Sequence, residues 1–345
     1  MKIVSGDGDR WRSNKCMVLL ALAVLAAGVV TFLAFRSPVI PTMAGTKVVI
    51  AVPMQINSAL MLVASGQGLF LKAGVDVVSQ PFGLGKDALK SVLDGKADLA
   101  VVSDTSTMFA LLGGADIAML AGISQSRRAL AIVAHRDRGI KQIQDLKGKS
   151  IGVTKGTNLP YFLDAMLQIH GVPSEEVAET DLRTDAGISA FKDGRIDAVV
   201  VFQPFLAKLE AEMGDRVTVF YGEDVYAFRF ILVGKPSYID NHPHEVRAVL
   251  RALIAAYLAI RANPAEARRS VGDALKIDDA SIALLFEPED YAVSLDQAML
   301  LALDDQTRWA MKKGLVESRP MPNYLNFMKY QDLKAVLPTA VTIVH

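Results

Sequence analysis

The sequence predicts an α/β protein of two lobes, with a cleft and a hinge between them, preceded by an N-terminal membrane helix. Three observations lead there: a block of sequence that occurs twice, strands that alternate with helices, and a long uncharged apolar run near the N-terminus.

The duplication is the most informative feature. Asp94-Gly95-Lys96-Ala97-Asp98-Leu99-Ala100-Val101-Val102 reappears 99 residues later as Asp193-Gly194-Arg195-Ile196-Asp197-Ala198-Val199-Val200-Val201. Each copy follows an amphipathic helical stretch, residues 87–93 and 185–192. Gly95 and Gly194 suit the left-handed residue that ends a helix, and the apolar run after each Asp suits a buried parallel strand. Upstream, Lys47-Val48-Val49-Ile50-Ala51-Val52 matches Lys149-Ser150-Ile151-Gly152-Val153-Thr154 as a strand. Each is followed by a polar loop and a helix, over residues 58–72 and 159–170, ending at Gly74 and Gly171. Second strands fall at 75–79 and 177–182. Both halves therefore read strand, helix, strand, helix, strand, the pattern of parallel sheets covered on both faces.

The first lobe is expected to continue through 117–122 and 129–135. The chain then crosses into the second lobe near residues 136–141 and returns near 228–233. The C-terminal third reads as helical, over 246–258, 265–275, 280–286, 295–313 and 324–336, and packs on the first lobe. The expected division is residues 1–15 as a cytoplasmic N-terminus, 16–35 as a membrane anchor or signal segment, 46–135 with 230–345 as lobe 1, and 136–229 as lobe 2.

The chain has 345 residues, 51% of them hydrophobic, and zero formal net charge, which leaves no basic excess to grip nucleic acid. Its one cysteine, Cys16, lies in the apolar run, so the globular part has neither disulfide nor thiol nucleophile. Residues 16–35 carry no charge and follow Lys2, Arg10, Arg12 and Lys15. Twenty helical residues span about 30 Å, and the basic flank favours a cytoplasmic N-terminus. Everything beyond is then extracytoplasmic, or periplasmic. A cleaved signal is the alternative, with Thr42-Met43-Ala44 as its processing site. No cysteine follows the run to carry a lipid tether.

The order of these motifs resembles a known family. Gly85-Lys86-Asp87-Ala88-Leu89 with Leu93-Asp94-Gly95-Lys96-Ala97-Asp98 is similar to the substrate-binding proteins of nitrate, sulfonate and taurine ABC transporters. Pyrimidine (thiamine-precursor) binders belong to the same superfamily. Asp145-Leu146-Lys147-Gly148-Lys149-Ser150-Ile151-Gly152-Val153 opens the second lobe in that family. Gly156-Thr157-Asn158 with Tyr161-Phe162-Leu163 is similar to its ligand-contacting turn and helix. The resemblance covers residues 46–262. It implies a type II periplasmic-binding-protein-like fold, capture of a small organic solute, and delivery to ABC permease and ATPase subunits by a monomer. No catalysis and no cofactor are implied. Two other classes remain: a membrane-anchored ligand sensor, and an enzyme of related fold in pyrimidine or menaquinone precursor synthesis.

Candidate ligand residues follow from position, because ligands sit beyond the carboxyl ends of parallel strands and helix starts present free N–H groups. After the first strand come Gln55, Asn57 and Ser58, and after the third Ser103, Asp104 and Thr105, with Asp104 as the expected helix cap. The second lobe offers Thr154, Gly156, Thr157 and Asn158, with Gln203 at the tip of its third strand. Arg229, at the return crossing, is the candidate cation for a carboxylate or sulfonate. Capping, or for Arg229 a surface ion pair, is the competing role for each. Phe202, Tyr226 and Phe228 are candidate flat walls. Gly83-Leu84-Gly85-Lys86 lacks the spacing of a phosphate loop, and His242-Pro243-His244 lacks a third ligand for a metal.

Overall fold

The computed structural model describes residues 47–286 and 289–344. The expected membrane segment at 16–35 lies outside them. Among the described residues no single helix is long and apolar enough to cross a membrane.

The fold is α/β and contains two sheets. In chain order the first part supplies β1 (Val48–Pro53), α1 (Ala59–Gly66), α2 (Leu69–Lys72), β2 (Val77–Phe82), α3 (Gly85–Leu93), β3 (Leu99–Ser103), α4 (Asp104–Leu112) and β4 (Ala118–Ser126). The next part supplies β5 (Leu130–His135), β6 (Ser150–Val153), α5 (Leu159–Ile169), β7 (Ala178–Asp181), α6 (Thr184–Lys192), β8 (Ala198–Phe202), α7 (Phe205–Met213) and β9 (Val217–Tyr221). Then come β10 (Phe228–Gly234), α8 (Pro236–Asn241), α9 (Pro243–Ala262), α10 (Pro264–Leu275), α11 (Asp279–Phe286), β11 (Glu289–Ser294), α12 (Gln297–Lys312) and α13 (Tyr330–Val336).

One sheet has the order β11-β4-β10-β3-β1-β2 and the other β7-β6-β8-β5-β9. Apart from the edge strand β11, the two are copies: β2-β1-β3-β10-β4 corresponds to β7-β6-β8-β5-β9. Within each copy the first three strands are parallel, and one antiparallel strand comes from the far side of a crossing. β10 enters the first sheet between β3 and β4, and β5 enters the second between β8 and β9.

This exchange corrects the expected path. Residues 129–135, assigned from sequence to the first lobe, pair wholly within the second sheet. The outgoing crossing is the short link after β4, at residues 127–129, rather than 136–141. A fully buried apolar run carries no mark of which sheet will bury it. Alternation within β5 does show its two-sided burial: Leu130, Ile132 and Ala134 join the large core, while Ala131 and Val133 join a smaller core with Val199, Val201 and Leu206.

Three further elements differ from expectation. The helix expected over 58–72 is a 3₁₀ turn (Ile56–Ser58) followed by α1 and α2, broken where Gly68 takes a left-handed φ of 64°. The second strand runs later than 75–79, as Val77–Phe82. The C-terminal third is not wholly helical: β11 adds an edge strand paired with β4, and residues 324–327 form a 3₁₀ turn before α13.

The duplicated motif does the same structural work twice. Gly95 and Gly194 have φ of 72° and 71°, as a helix-ending glycine requires. Asp98 then donates its N–H to the Val49 carbonyl (2.9 Å), and its carboxylate accepts the Val49 N–H (2.8 Å). Asp197 repeats this on Ser150, with 2.9 Å for each backbone bond, and its carboxylate also accepts the Ser150 hydroxyl (2.8 Å) and Arg138 (2.7 Å). Each Asp thus clips the central strand of its unit to the preceding parallel strand, satisfying groups at the strand starts.

Candidate ligand site

The carboxyl ends of β1 and β3, the loop after β2, and the loop after β6 meet around a single cavity. It is lined by Gln55, Leu84, Gly85, Lys86, Ser103, Ser106, Leu130, Thr157, Asn158, Leu159, Phe202, Phe228 and Phe230. Its volume is about 20 Å³, room for one water.

Three helix N-termini face it. Leu84, Gly85 and Lys86 begin α3, Ser103 caps α4 with Ser106 in its first turn, and Asn158 and Leu159 begin α5. Gly85 allows the first to lie close: a Cβ there would stand 3.3 Å from the Val102 Cα and 3.4 Å from the Ser103 N. Ser103 Oγ accepts the Ser106 N–H (3.2 Å), and Thr157 Oγ accepts the Leu159 N–H (3.2 Å) while donating to the Thr154 carbonyl (2.6 Å). Asn158 stands at the N-cap of α5 without a side-chain cap bond, and its Nδ2 is a buried donor with no partner. Lys86 is the only charged residue among those lining the cavity. Opposite lie Phe202, Phe228, Phe230 and Leu130, with Phe228 and Phe230 edge-to-face at 5.1 Å.

Two hydrogen bonds hold the cavity's sides together. Lys86 Nζ donates to the Lys155 carbonyl (2.8 Å), and Ser106 Oγ to the Gly156 carbonyl (3.2 Å). Gly156 reaches this position with φ of 72°.

Of the twelve candidate ligand residues, Gln55, Ser103, Thr157 and Asn158 line the cavity and the other eight do not; of the three candidate walls, Phe202 and Phe228 line it. Gln55 Nε2 donates to the Gly83 carbonyl (3.0 Å), tying the first loop to the second. Asn57 and Ser58 are buried beside it. Thr154 Oγ donates to the Leu182 carbonyl (2.8 Å), bracing the loop from behind. Gln203 Oε1 accepts the Ala207 N–H (3.1 Å), a donor in the first turn of α7.

Asp104 and Arg229 are the main departures. The cap of α4 is Ser103, not Asp104. Asp104 is fully buried, and its carboxylate accepts from Tyr226 Oη (2.5 Å), Gln306 Nε2 (2.9 Å) and the Thr105 N–H (2.8 Å). Thr105 Oγ lies 3.4 Å from Tyr226 Oη in the same cluster. Tyr226 is therefore an anchor for Asp104 rather than a wall of the cavity. Alternation along β10 puts Phe228 and Phe230 on the cavity side and Arg229 on the other face, where its charge acts on Asp104. The sequence could not place Asp104 because Gln306, its partner, lies 202 residues away.

Burial pushes the Asp104 carboxyl above its usual range, against the bonds from Tyr226 and Gln306 and the charge of Arg229. A raised folded-state pKa means the group's contribution to stability is full below about pH 4 and is lost as pH rises through the folded value. Asp104→Asn removes the buried charge, and the unpartnered Gln306 Oε1 can accept from the new amide once the Gln306 amide turns over. The expected result is a Tm about 2–4 °C above wild type at pH 8, with the difference vanishing near pH 4. Scanning calorimetry of both proteins across that range checks it; a parallel pair of profiles would contradict it.

Leu84, Gly85, Lys86, Ser106, Leu130, Leu159 and Phe230 line the cavity but were not among the residues expected from sequence. The available signal was the glycine-led helix start after β2, mirrored by Gly156-Thr157-Asn158 after β6, and the Phe228-x-Phe230 alternation.

Comparison with known proteins places this geometry in context. The chain belongs to the NMT1/THI5-like family, whose match covers residues 55–267. A protein of Bacillus subtilis named as an aliphatic sulfonates-binding protein is 27% identical over 209 residues, covering 59% of this chain and 62% of that one. A protein of Brucella abortus named as a binding protein is 23% identical over 229 residues, covering 66% and 70%. Among solved structures, the alkanesulfonate-binding protein SsuA of Xanthomonas axonopodis, bound to MOPS, superposes with a TM-score of 0.72 at 18% identity, covering 83% of this chain and 99% of that one. The desulfurization enzyme DszB superposes at 0.68 with 14% identity, covering 86% and 99%. These likenesses establish the shared two-sheet α/β fold.

Proposed function

We propose that this chain is the extracytoplasmic solute-binding component of an ABC importer, and that its solute is an organic oxyanion with a flat or bulky apolar body. The observation that carries the reading is the convergence of three helix N-termini, the Lys86 ammonium and the unpartnered Asn158 amide on one cavity. Helix starts concentrate partial positive charge and free N–H groups, so they favour a sulfonate or carboxylate. Phe202, Phe228, Phe230 and Leu130 suit the rest of the molecule. The names of the sulfonate-binding relatives support the same class of ligand.

The two sheets act as two lobes. The crossings after β4 and after β9 are the hinge, and the lobes must part to admit a solute, since the cavity holds about 20 Å³. Closure then brings α5 back onto the starts of α3 and α4. A permease and an ATPase complete the importer, and the apolar segment at 16–35 carries the chain to the outer face of the membrane.

The test is a thermal-shift screen of the full chain in detergent against matched solutes: alkyl and aryl sulfonates, the corresponding carboxylates, and neutral amides of the same shape. A solute bound only by the native protein at 100 times its Kd adds about 2.7 kcal/mol of stability. Sulfonates or carboxylates should raise Tm and the neutral analogues should not, with aryl anions above short alkyl ones. Stabilisation by neutral or cationic solutes alone would overturn the reading.

A further inference from the structure

We infer that Asp164, Trp309 and Lys313 form a clasp that holds the two halves of the molecule together independently of solute. Asp164 lies on α5, which packs against β5 and β8 of the second sheet, whereas Trp309 and Lys313 lie at the end of α12, which packs on α4 of the first. Trp309 Nε1 donates to Asp164 Oδ2 at 2.7 Å. Lys313 Nζ stands 2.7 Å from Asp164 Oδ1 and donates to Ser174 Oγ at 2.5 Å. The Asp164 side chain is only 10% exposed, so its charge depends on the opposite half: Oδ2 through the Trp309 hydrogen bond and Oδ1, which accepts no hydrogen bond, through the Lys313 ion pair.

An aromatic stack supports the contact. Trp309 meets Tyr161 edge-on at 5.3 Å and Phe109 at 6.0 Å, and Tyr161 meets Tyr226 at 5.1 Å. Cavities of about 700 and 380 Å³ flank it, and Asp164, Trp309 and Lys313 line both. The clasp therefore stands as a pillar between the two cavities.

Its position couples it to the ligand site. Asp164 is six residues from Asn158 on the same helix start, about 9 Å along the axis. Breaking the clasp frees the helix whose N-terminus forms one wall of the cavity. A buried carboxylate that loses its cation and donor is costly, so the contact is made or broken as a unit. Opening for solute entry must break it, and its strength sets the fraction of open molecules. Trp309 is in effect the hand of the first half on the second.

The test needs no solute, so its outcome is separate from the choice of ligand. In full-length Cys16→Ser protein, spin labels at Lys96→Cys and Arg195→Cys report the separation of the halves by pulsed dipolar spectroscopy. Asp164→Asn and the milder Trp309→Phe, which keeps the ring but loses the donor, should both move the distance distribution outward by several ångströms and broaden it. Combining them should shift it no further than the larger single change. Acrylamide quenching of Trp309, in Trp11→Phe protein with and without Asp164→Asn, should rise at least twofold in the variant. Distributions that stay at the wild-type distance in folded Trp309→Phe, whatever its melting temperature, would overturn the clasp.

Discussion

Replacing Asn158 by Asp should raise the Kd of any oxyanion that binds the wild-type protein by at least a hundredfold while leaving the fold intact. The two side chains have nearly the same shape, and Asp is as good an N-cap as Asn. An acidic group at the start of α5 even interacts favourably with the helix. What changes is the cavity: a buried donor without a partner becomes a fixed negative charge. Two like charges about 4 Å apart, at an effective dielectric constant near 20, repel by about 4 kcal/mol. Each 1.4 kcal/mol is tenfold in affinity, so a loss of ~100–1000-fold is expected after relaxation. Isothermal titration against the best anion of the screen measures it, with a thermal melt as the control for folding. Retained affinity in the variant would remove Asn158 and the start of α5 from the site. Lys86→Met should act in the same direction but more weakly, because the ammonium also bonds the Lys155 carbonyl and lies near solvent.

The second large effect concerns stability in acid. Burial opposes the Asp197 charge, but the Ser150 N–H and hydroxyl and the Arg138 guanidinium overcome it and hold the carboxyl down at about 2. A lowered folded-state pKa contributes stability that is present above the unfolded value near 3.8 and is lost as pH falls through the folded one. At 1.36 kcal/mol per unit of pKa, the contribution is about 2 kcal/mol at neutral pH. Asp197→Asn should therefore destabilise by ~1–3 kcal/mol at pH 7, since its amide nitrogen must face either Ser150 or Arg138, both donors. The deficit should shrink between pH 4 and pH 2, where wild type loses the same interaction. Urea titrations at several pH values check both statements. Asp98→Asn, whose amide oxygen can still accept the Val49 N–H, should cost less.

The contrast between Asp98 and Asp197 also shows how far the sequence could be read. The duplicated motif, its glycine-ended helices and its buried strands were legible because they depend on residues close together in the chain. The parallel units β1-α1-β2 and β6-α5-β7 were legible for the same reason. Of the two exchanged strands, the return of 228–233 to the first lobe was legible, but the placement of β5 was not. Residues 130–134 are apolar on both faces, and such a run pairs equally well with either sheet until the crossings are built. The site was legible in the same measure. Thr157 and Asn158 could be proposed because they start a helix after a strand. Phe230 and Lys86 could not, since their presence at the cavity depends on β10 entering between β3 and β4 and on Gly85 packing against the β3 backbone.

The chain alone determined the two-unit α/β plan, through periodicity and local turn chemistry acting over a few residues at a time. Only the tertiary structure decided which side chains meet. Asp104, read as a helix cap at the cleft, is instead sealed beneath it by Tyr226 and Gln306, and Arg229 is turned away from the cavity by the alternation of its strand. Those outcomes depend on contacts between residues more than a hundred positions apart, and no local pattern encodes the direction in which a buried polar group will find its partner.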